Sequence, residues 1–177
     1  MCIGWGSLIW DPGTLPVKGK WSSDGPLLPL EFARESRDGR LTLVLVPAAA
    51  PMRSYWVDLS SKNIESARAA LASREQSTDI NSIGVWSRGT ISPTVGAAAI
   101  GIWAGAREFW GVVWTALKPG FRSRRGSMPT ADDVIAYLRD LKGERRRRAE
   151  EYIRRAPREI DTSYRRRIEA EFGWAAA

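Results

Sequence analysis

The sequence predicts an α+β fold, and three observations predict it. Strand-like apolar runs crowd the first two thirds of the chain, at least five of them. One helical pattern, from about residue 62 to residue 74, interrupts them, and the stretch after residue 130 has helical spacing. Strands mixed with a helix and then followed by a block of helices make the order of an α+β domain; a regular βαβ series would alternate the two to its end. The 177 residues suit one domain with one core, residues 1–177, in which 130–177 form a helical C-terminal extension.

Residues 3–10 read IGWGSLIW, an apolar strand that Asp11-Pro12-Gly13 ends with strong turn chemistry. Gly4 and Gly6 stand out, since a plain core strand has no use for them. Residues 14–26 read as a loop rich in Pro, Gly and Ser. Leu27 to Ser36 and Leu41 to Pro47 read as two strands, and Asp38-Gly39 between them marks a tight hairpin. The LTLVLV run is apolar on both faces apart from Thr42, as in a strand covered on both sides. Tyr55 to Leu59 give another short strand. Ser60 or Ser61 caps a helix that buries Ile64, Ala67, Leu71 and Ala72, runs to Arg74 and leaves Glu75 at its end.

Residues 76–94 look irregular apart from a short strand at Ile83 to Trp86. Ile100, Trp103 and Arg107 have helical spacing, so 95–107 is read as a helix despite three glycines. Trp110 to Leu117, WGVVWTAL, is β-branched and aromatic, the composition of a buried strand. Thr130 and Asp133 form a capping box opening a helix with Val134, Ile135, Leu138 and Leu141 on its buried face. A second helix, from Glu144 to Ala156, buries Ala149, Tyr152 and Ile153 and stops before Pro157. Tyr164, Ile168 and Phe172, four apart, mark a third.

Composition narrows the function. The lone Cys2 excludes an intramolecular disulfide, and the absence of His removes the usual ligands of zinc or haem, so a structural metal is not expected. No basic segment leads into a long apolar stretch at the N-terminus, and the longest small-apolar run falls well short of the roughly 20 residues of a membrane span. A cytoplasmic chain with no membrane partner is the simplest expectation. The net charge of +7, with Arg145 to Arg148 and Arg165 to Arg167 in runs, raises a nucleic-acid partner. The acids Glu144, Glu150, Glu151, Asp161, Glu169 and Glu171 interleave with those runs, which suits solvated helices laced with ion pairs and weighs against such a partner. Only Lys118 to Arg125, KPGFRSRR, is basic without acids. Nine Trp suit an aromatic interface between two copies, a homodimer.

Without His, catalysis has to draw on carboxylates, hydroxyls, backbone amides or Lys. A glycine-flanked turn such as Gly4-Trp5-Gly6-Ser7 can aim successive backbone N–H groups at one point and so hold an anion or oxyanion. Its structural reading is a kinked strand whose glycines allow close packing.

The stretch IGWGSLIWDPG resembles the Tyr-Gly-Ser-Leu-Ile-Trp opening of the γ-glutamyl cyclotransferase-like superfamily, especially its ChaC-type branch, and the stretch from WGVVWTAL through EEYIRRAPREIDTSYRRRIEAEFGW is similar to its uncharacterised bacterial members. EFARESRDGRLTLVLVP is similar to the segment carrying that branch's Phe and Ser, here Phe32 and Ser36, and ALASREQ resembles its Arg-Glu element at a helix end. The resemblance implies a small mixed β-barrel or strongly curved sheet with flanking helices. It also implies release of 5-oxoproline from a γ-glutamyl amine, with no cofactor. Glu75 then becomes the catalytic acid/base, with the substrate held by Trp5, Gly6, Ser7, Leu8, Phe32 and Ser36. Two departures stand out: Trp5 replaces the usual Tyr, and Gln76-Ser77-Thr78 replaces a glycine-rich continuation. A non-catalytic ligand-binding or regulatory module on the same fold is the alternative. A binder of nucleic acid or an acidic partner through Lys118, Arg122, Arg124 and Arg125 is a third.

Overall fold

The computed structural model describes residues 1–177. Nine strands run β1 Cys2–Gly4, β2 Val17–Ser22, β3 Leu27–Glu35, β4 Leu41–Leu45, β5 Pro51–Arg53, β6 Tyr55–Leu59, β7 Ile83–Ser87, β8 Thr90–Ile91 and β9 Gly111–Thr115. The helices are α1 Ile64–Arg74, α2 Ala97–Ala106, α3 Ala131–Asp140, α4 Gly143–Arg155 and α5 Ser163–Phe172. The fold is α+β, with a mixed six-stranded sheet and a separate three-stranded one. The barrel expectation is corrected, because the six strands end in β2 and β8 at opposite edges and do not close. No helix is long and apolar enough to cross a membrane. The chain forms two compact units, Met1–Leu28 with Arg53–Leu117, and Pro29–Met52 with Lys118–Ala177.

In the first unit the sheet order is β2-β6-β1-β9-β7-β8. The short β1 is central: it pairs antiparallel with β6, Cys2 opposite Val57, and parallel with β9, Cys2 opposite Val113. Its position between two neighbours explains why Cys2 and Ile3 are wholly buried. Helix α1 presses Ala67, Leu71 and Ala72 onto Cys2, Leu8, Leu15, Val57, Ile83, Val85 and Val113, the apolar face that non-directional burial of side chains requires. Gly84 stands opposite Trp114 in the β7–β9 register because the buried Trp114 ring occupies the space of its missing side chain.

The strand expected over residues 3–10 stops at Gly4. Beyond it the chain curls into a single helical turn, in which Ile9 donates to the Gly6 carbonyl at 2.9 Å and Asp11 to that of Ser7 at 2.7 Å. Val17–Ser22, expected as loop, is an edge strand on β6 with a register shift between Lys18 and Ser22. Pairing with a neighbour overrides a composition poor in strand formers. The α1 cap is Asn63, two or three residues beyond the expected serines, and it shares a capping box with Ser66.

In the second unit β3 and β4 form the expected hairpin, Leu30 opposite Leu45 through Glu35 opposite Leu41. Its turn uses Gly39 at φ +82, a conformation that a side chain disfavours. Helix α4 packs on β4, and α3 packs on α5. Thr130 and Asp133 make the expected capping box of α3. Thr162 caps α5, and Gly173 ends it in the left-handed conformation.

Two buried charged side chains tie the helices of this unit together. The Glu31 carboxylate accepts from Thr162 Oγ1, from Ser163 Oγ at 2.9 Å and from the Tyr164 amide at 3.3 Å, so an anion sits at the N-terminus of α5. Arg165, 1% exposed, donates to the carbonyls of Ile153, Ala156, Pro157 and Ile160 and to Glu169.

Candidate functional site

Five of the seven sequence-derived site residues, Trp5, Gly6, Ser7, Leu8 and Glu75, belong to the first unit. Glu75 is the C-cap of α1, with its amide donating to Leu71, so the helix end fixes its backbone. Its neighbour Arg74 gathers the site. One Arg74 nitrogen, Nη1, donates to Glu75 Oε1 at 2.9 Å, while Nη2 donates to Ser7 Oγ at 3.2 Å and to the Asp11 carbonyl at 2.6 Å. A single planar guanidinium therefore holds the carboxylate beside the opening turn, although Arg74 and Ser7 lie 67 positions apart. The Asp11–Gly13 bend completes the seat: Gly13 has φ +57, and a Cβ there would meet the Arg74 stem at 3.8 Å.

The Arg74 and Glu75 side chains are only 15% and 14% exposed, so this pair is more shielded from water than a surface ion pair. Glu75 spends one oxygen on Arg74, and Oε2 accepts no hydrogen bond from the protein. Across the turn, the amides of Gly6, Ser7 and Leu8 likewise donate to no protein acceptor. Gly6 and Leu8 are buried residues, and buried backbone N–H groups are satisfied in the great majority of cases. Three consecutive unused donors beside a carboxylate with an unused oxygen form an arrangement able to bind an oxyanion and to move a proton.

Trp5 is 4% exposed and thus packs inside, with little of its ring left to serve as the expected wall for a substrate stem. Cys2 is buried next to the site; burial foremost, and then the Glu75 charge against the opposing pull of the N-terminal ammonium, pushes its thiol up to about 12. At neutral pH it is a neutral hydrophobe and not a nucleophile.

Phe32 and Ser36 belong to the second unit and have partners there. Phe32 is fully buried, edge-on to Tyr152 with ring centroids 6.4 Å apart. Ser36 donates to Asp38 at 2.6 Å and accepts from the Arg40 amide at 2.9 Å, closing the hairpin turn. Both side chains thus have structural duties within that unit.

Arg74 is the residue that the sequence reading leaves without a role. Its adjacency to Glu75 is the only local signal; its bonds to Ser7 and Asp11 span more than 60 positions and depend on the fold. No protein-family model matches the chain, and neither the curated proteins nor the solved structures contain a match to it.

Proposed function

We propose that the chain is a γ-glutamyl cyclotransferase-type enzyme, releasing 5-oxoproline from a γ-glutamyl amine with Glu75 as acid/base. The observation that carries the proposal is the meeting of the Glu75 carboxylate and the opening turn at one guanidinium, with Glu75 Oε2 and the three amides of Gly6 to Leu8 unused. In the reaction, Glu75 takes a proton from the substrate α-ammonium. The freed amine attacks the γ-carbonyl carbon of the same molecule, and a C–N bond forms while the carbonyl oxygen becomes an oxyanion. The amides of the turn stabilise that charge. Collapse of the intermediate breaks the bond to the departing nitrogen, which receives the proton from Glu75; the carboxylate so freed takes the second proton from the ring nitrogen, leaving the neutral lactam, and passes it to the released amine. Ring closure within one molecule enjoys an effective concentration of about 10⁵ M or more when the ends are held together, so the protein's work is folding the substrate and handling the proton. Ser7 and Arg74 fix the geometry of the carboxylate.

The second reading, a ligand-binding module without turnover, draws on the burial of Trp5. One experiment separates the two. The protein is incubated with a panel of γ-glutamyl amines, including glutathione and γ-glutamyl dipeptides, and 5-oxoproline is measured by mass spectrometry alongside calorimetric binding. Turnover is expected, with Glu75→Gln reducing it by roughly 10² or more at unchanged fold, the usual loss on removing a general base. Binding without 5-oxoproline selects the module, and wild-type turnover by Glu75→Gln overturns the assignment of the base.

A further inference from the structure

Most of the net charge of +7 resides in the second unit, where ion pairing is uneven. Glu144, Glu150, Glu151 and Glu169 each pair with an arginine of their own helix, so the interleaved acids are largely consumed there. By contrast, Lys118, Arg122, Arg124, Arg125 and Arg145 have no carboxylate within ion-pair distance.

Backbone contacts bring these cations to the end of the β3–β4 hairpin. Gly120 donates to the Ala33 carbonyl at 2.7 Å and accepts from the Glu35 amide at 3.3 Å, which docks the basic segment along β3. Arg125 donates to the carbonyls of Glu35, at 2.8 Å, and Gly120, and Arg122 donates to that of Arg37 at 3.3 Å. The Arg145 stem lies against Gly39 in the turn, where a Cβ would come within 3.3 Å of it. Carbonyl partners hold a guanidinium in place without cancelling its charge. Of the nearby carboxylates, Glu35 accepts from the Arg122 amide at 2.8 Å, and Asp38 in the hairpin turn is paired with Arg40 at 2.9 Å.

Next to this charge lies a shallow cleft lined by Phe121, Arg124, Ser127, Met128, Pro129 and Asp133. The half-buried Phe121 ring is stacked on Tyr137 at 4.9 Å, so it presents a rigid flat surface, and Met128 is 40% exposed. Asp133 is turned to its cap, accepting from the Thr130 amide and hydroxyl. An aromatic platform at the border of preorganised arginines suits a base and its phosphates. A membrane surface would call for an apolar helical face beside the charge, and here the exposed apolar group is a single Met.

We propose that this face binds single-stranded nucleic acid, with phosphates on Lys118, Arg122, Arg124, Arg125 and Arg145 and a base against Phe121. The test is fluorescence anisotropy of a labelled oligothymidine with the full chain across a salt series. Binding is expected with log K falling against log salt at a slope of about −3.5, at roughly 0.7 for each of the phosphates engaged. Lys118→Glu with Arg124→Glu, two exposed side chains, should weaken binding at least tenfold and flatten that slope. Phe121→Leu should weaken it about fivefold or more with the slope unchanged, the mark of lost stacking. Lys18→Glu with Lys20→Glu in the first unit should leave binding as it is. No binding at low salt, equal losses from the two charge-reversal pairs, or capture by anionic phosphatidylserine vesicles without oligonucleotide binding would each overturn the proposal.

Discussion

Arg165→Met tests the packing logic of the second unit most sharply. Arg165 stands in a run of three arginines, yet it is 1% exposed and all five of its N–H donors are used. The need comes from α4. Pro157 follows the helix and has no N–H for the Ile153 carbonyl four residues earlier, so Arg165 Nη2 supplies that bond at 3.1 Å and a second to Ala156 at 2.9 Å. Its positive charge also opposes the negative end of the α4 dipole. Met keeps much of the stem's volume but removes every donor and strands the carbonyls. Charged hydrogen bonds contribute about 1.5–3 kcal/mol each and are not additive, and breaking a buried charged site costs about 3–5 kcal/mol in total. We expect that loss in urea denaturation followed by circular dichroism, and a fall in Tm of roughly 6–20 °C for a chain of this size. Arg166→Met is the control: Arg166 pairs with Asp161 in the open, 67% exposed, and should leave the midpoint where it is. Equal, small shifts for the two variants would refute the reasoning.

Three further outcomes follow from the structure. Gly84→Ala puts a Cβ 2.1 Å from the fully buried Trp114 ring and should cost about 3 kcal/mol or more in chemical denaturation, an overpacking that neither partner can relax; a loss below 1 kcal/mol would contradict it. Cys2, buried and with its thiol pushed up to about 12, should be inert to thiol reagents at pH 8 in the folded protein and react fully in urea; rapid native labelling would contradict its placement. Asp24 accepts from the Trp56 indole and from Arg107, both at 2.7 Å, and these hold its carboxyl below the usual carboxylate range. A lowered folded value means stabilisation present above the unfolded value of about 3.9 and lost as pH falls through the folded one. Melts of wild type and Asp24→Asn should accordingly differ at pH 6 and converge toward pH 2, and a difference that persists at pH 2 would count against the carboxylate.

What was legible in the sequence was what neighbours along the chain decide. The Asp38-Gly39 turn, the Thr130–Asp133 capping box and the β-branched run of β9 all carry their cause within a few residues, and all stand where expected. β2 was illegible because its composition is that of a loop, and its pairing with Val17 opposite Leu59 is decided more than 40 positions away. The Arg165 run suggested a solvated face; only the route of α4 past Pro157 turns one of its members inward. At the site, Glu75 could be singled out from its family-like surroundings, whereas Arg74 acquires its role only when the fold delivers Ser7 and Asp11 to it.

The opening glycines divide between a structural reading and the proposed functional one, each at a different residue. Gly4 is explained by packing: a Cβ there would lie 2.9 Å from the Trp21 ring, and Trp21 is carried on the edge strand β2. A side chain at Gly4 would push that ring away from the place where β1 leaves the sheet, so this glycine would be required in a protein with no ligand at all. Gly6 stands on the other side of that departure. It begins the helical turn by accepting from Ile9, and from it onward three amides have lost their sheet partners without gaining new ones. Strand termination at Gly4 is thus what liberates the donors, and the α1 C-terminus is what brings a carboxylate to them through Arg74. Extending β1 as far as Leu8 would absorb those amides into the ladder, so the proposed oxyanion site depends on the shortness of the strand.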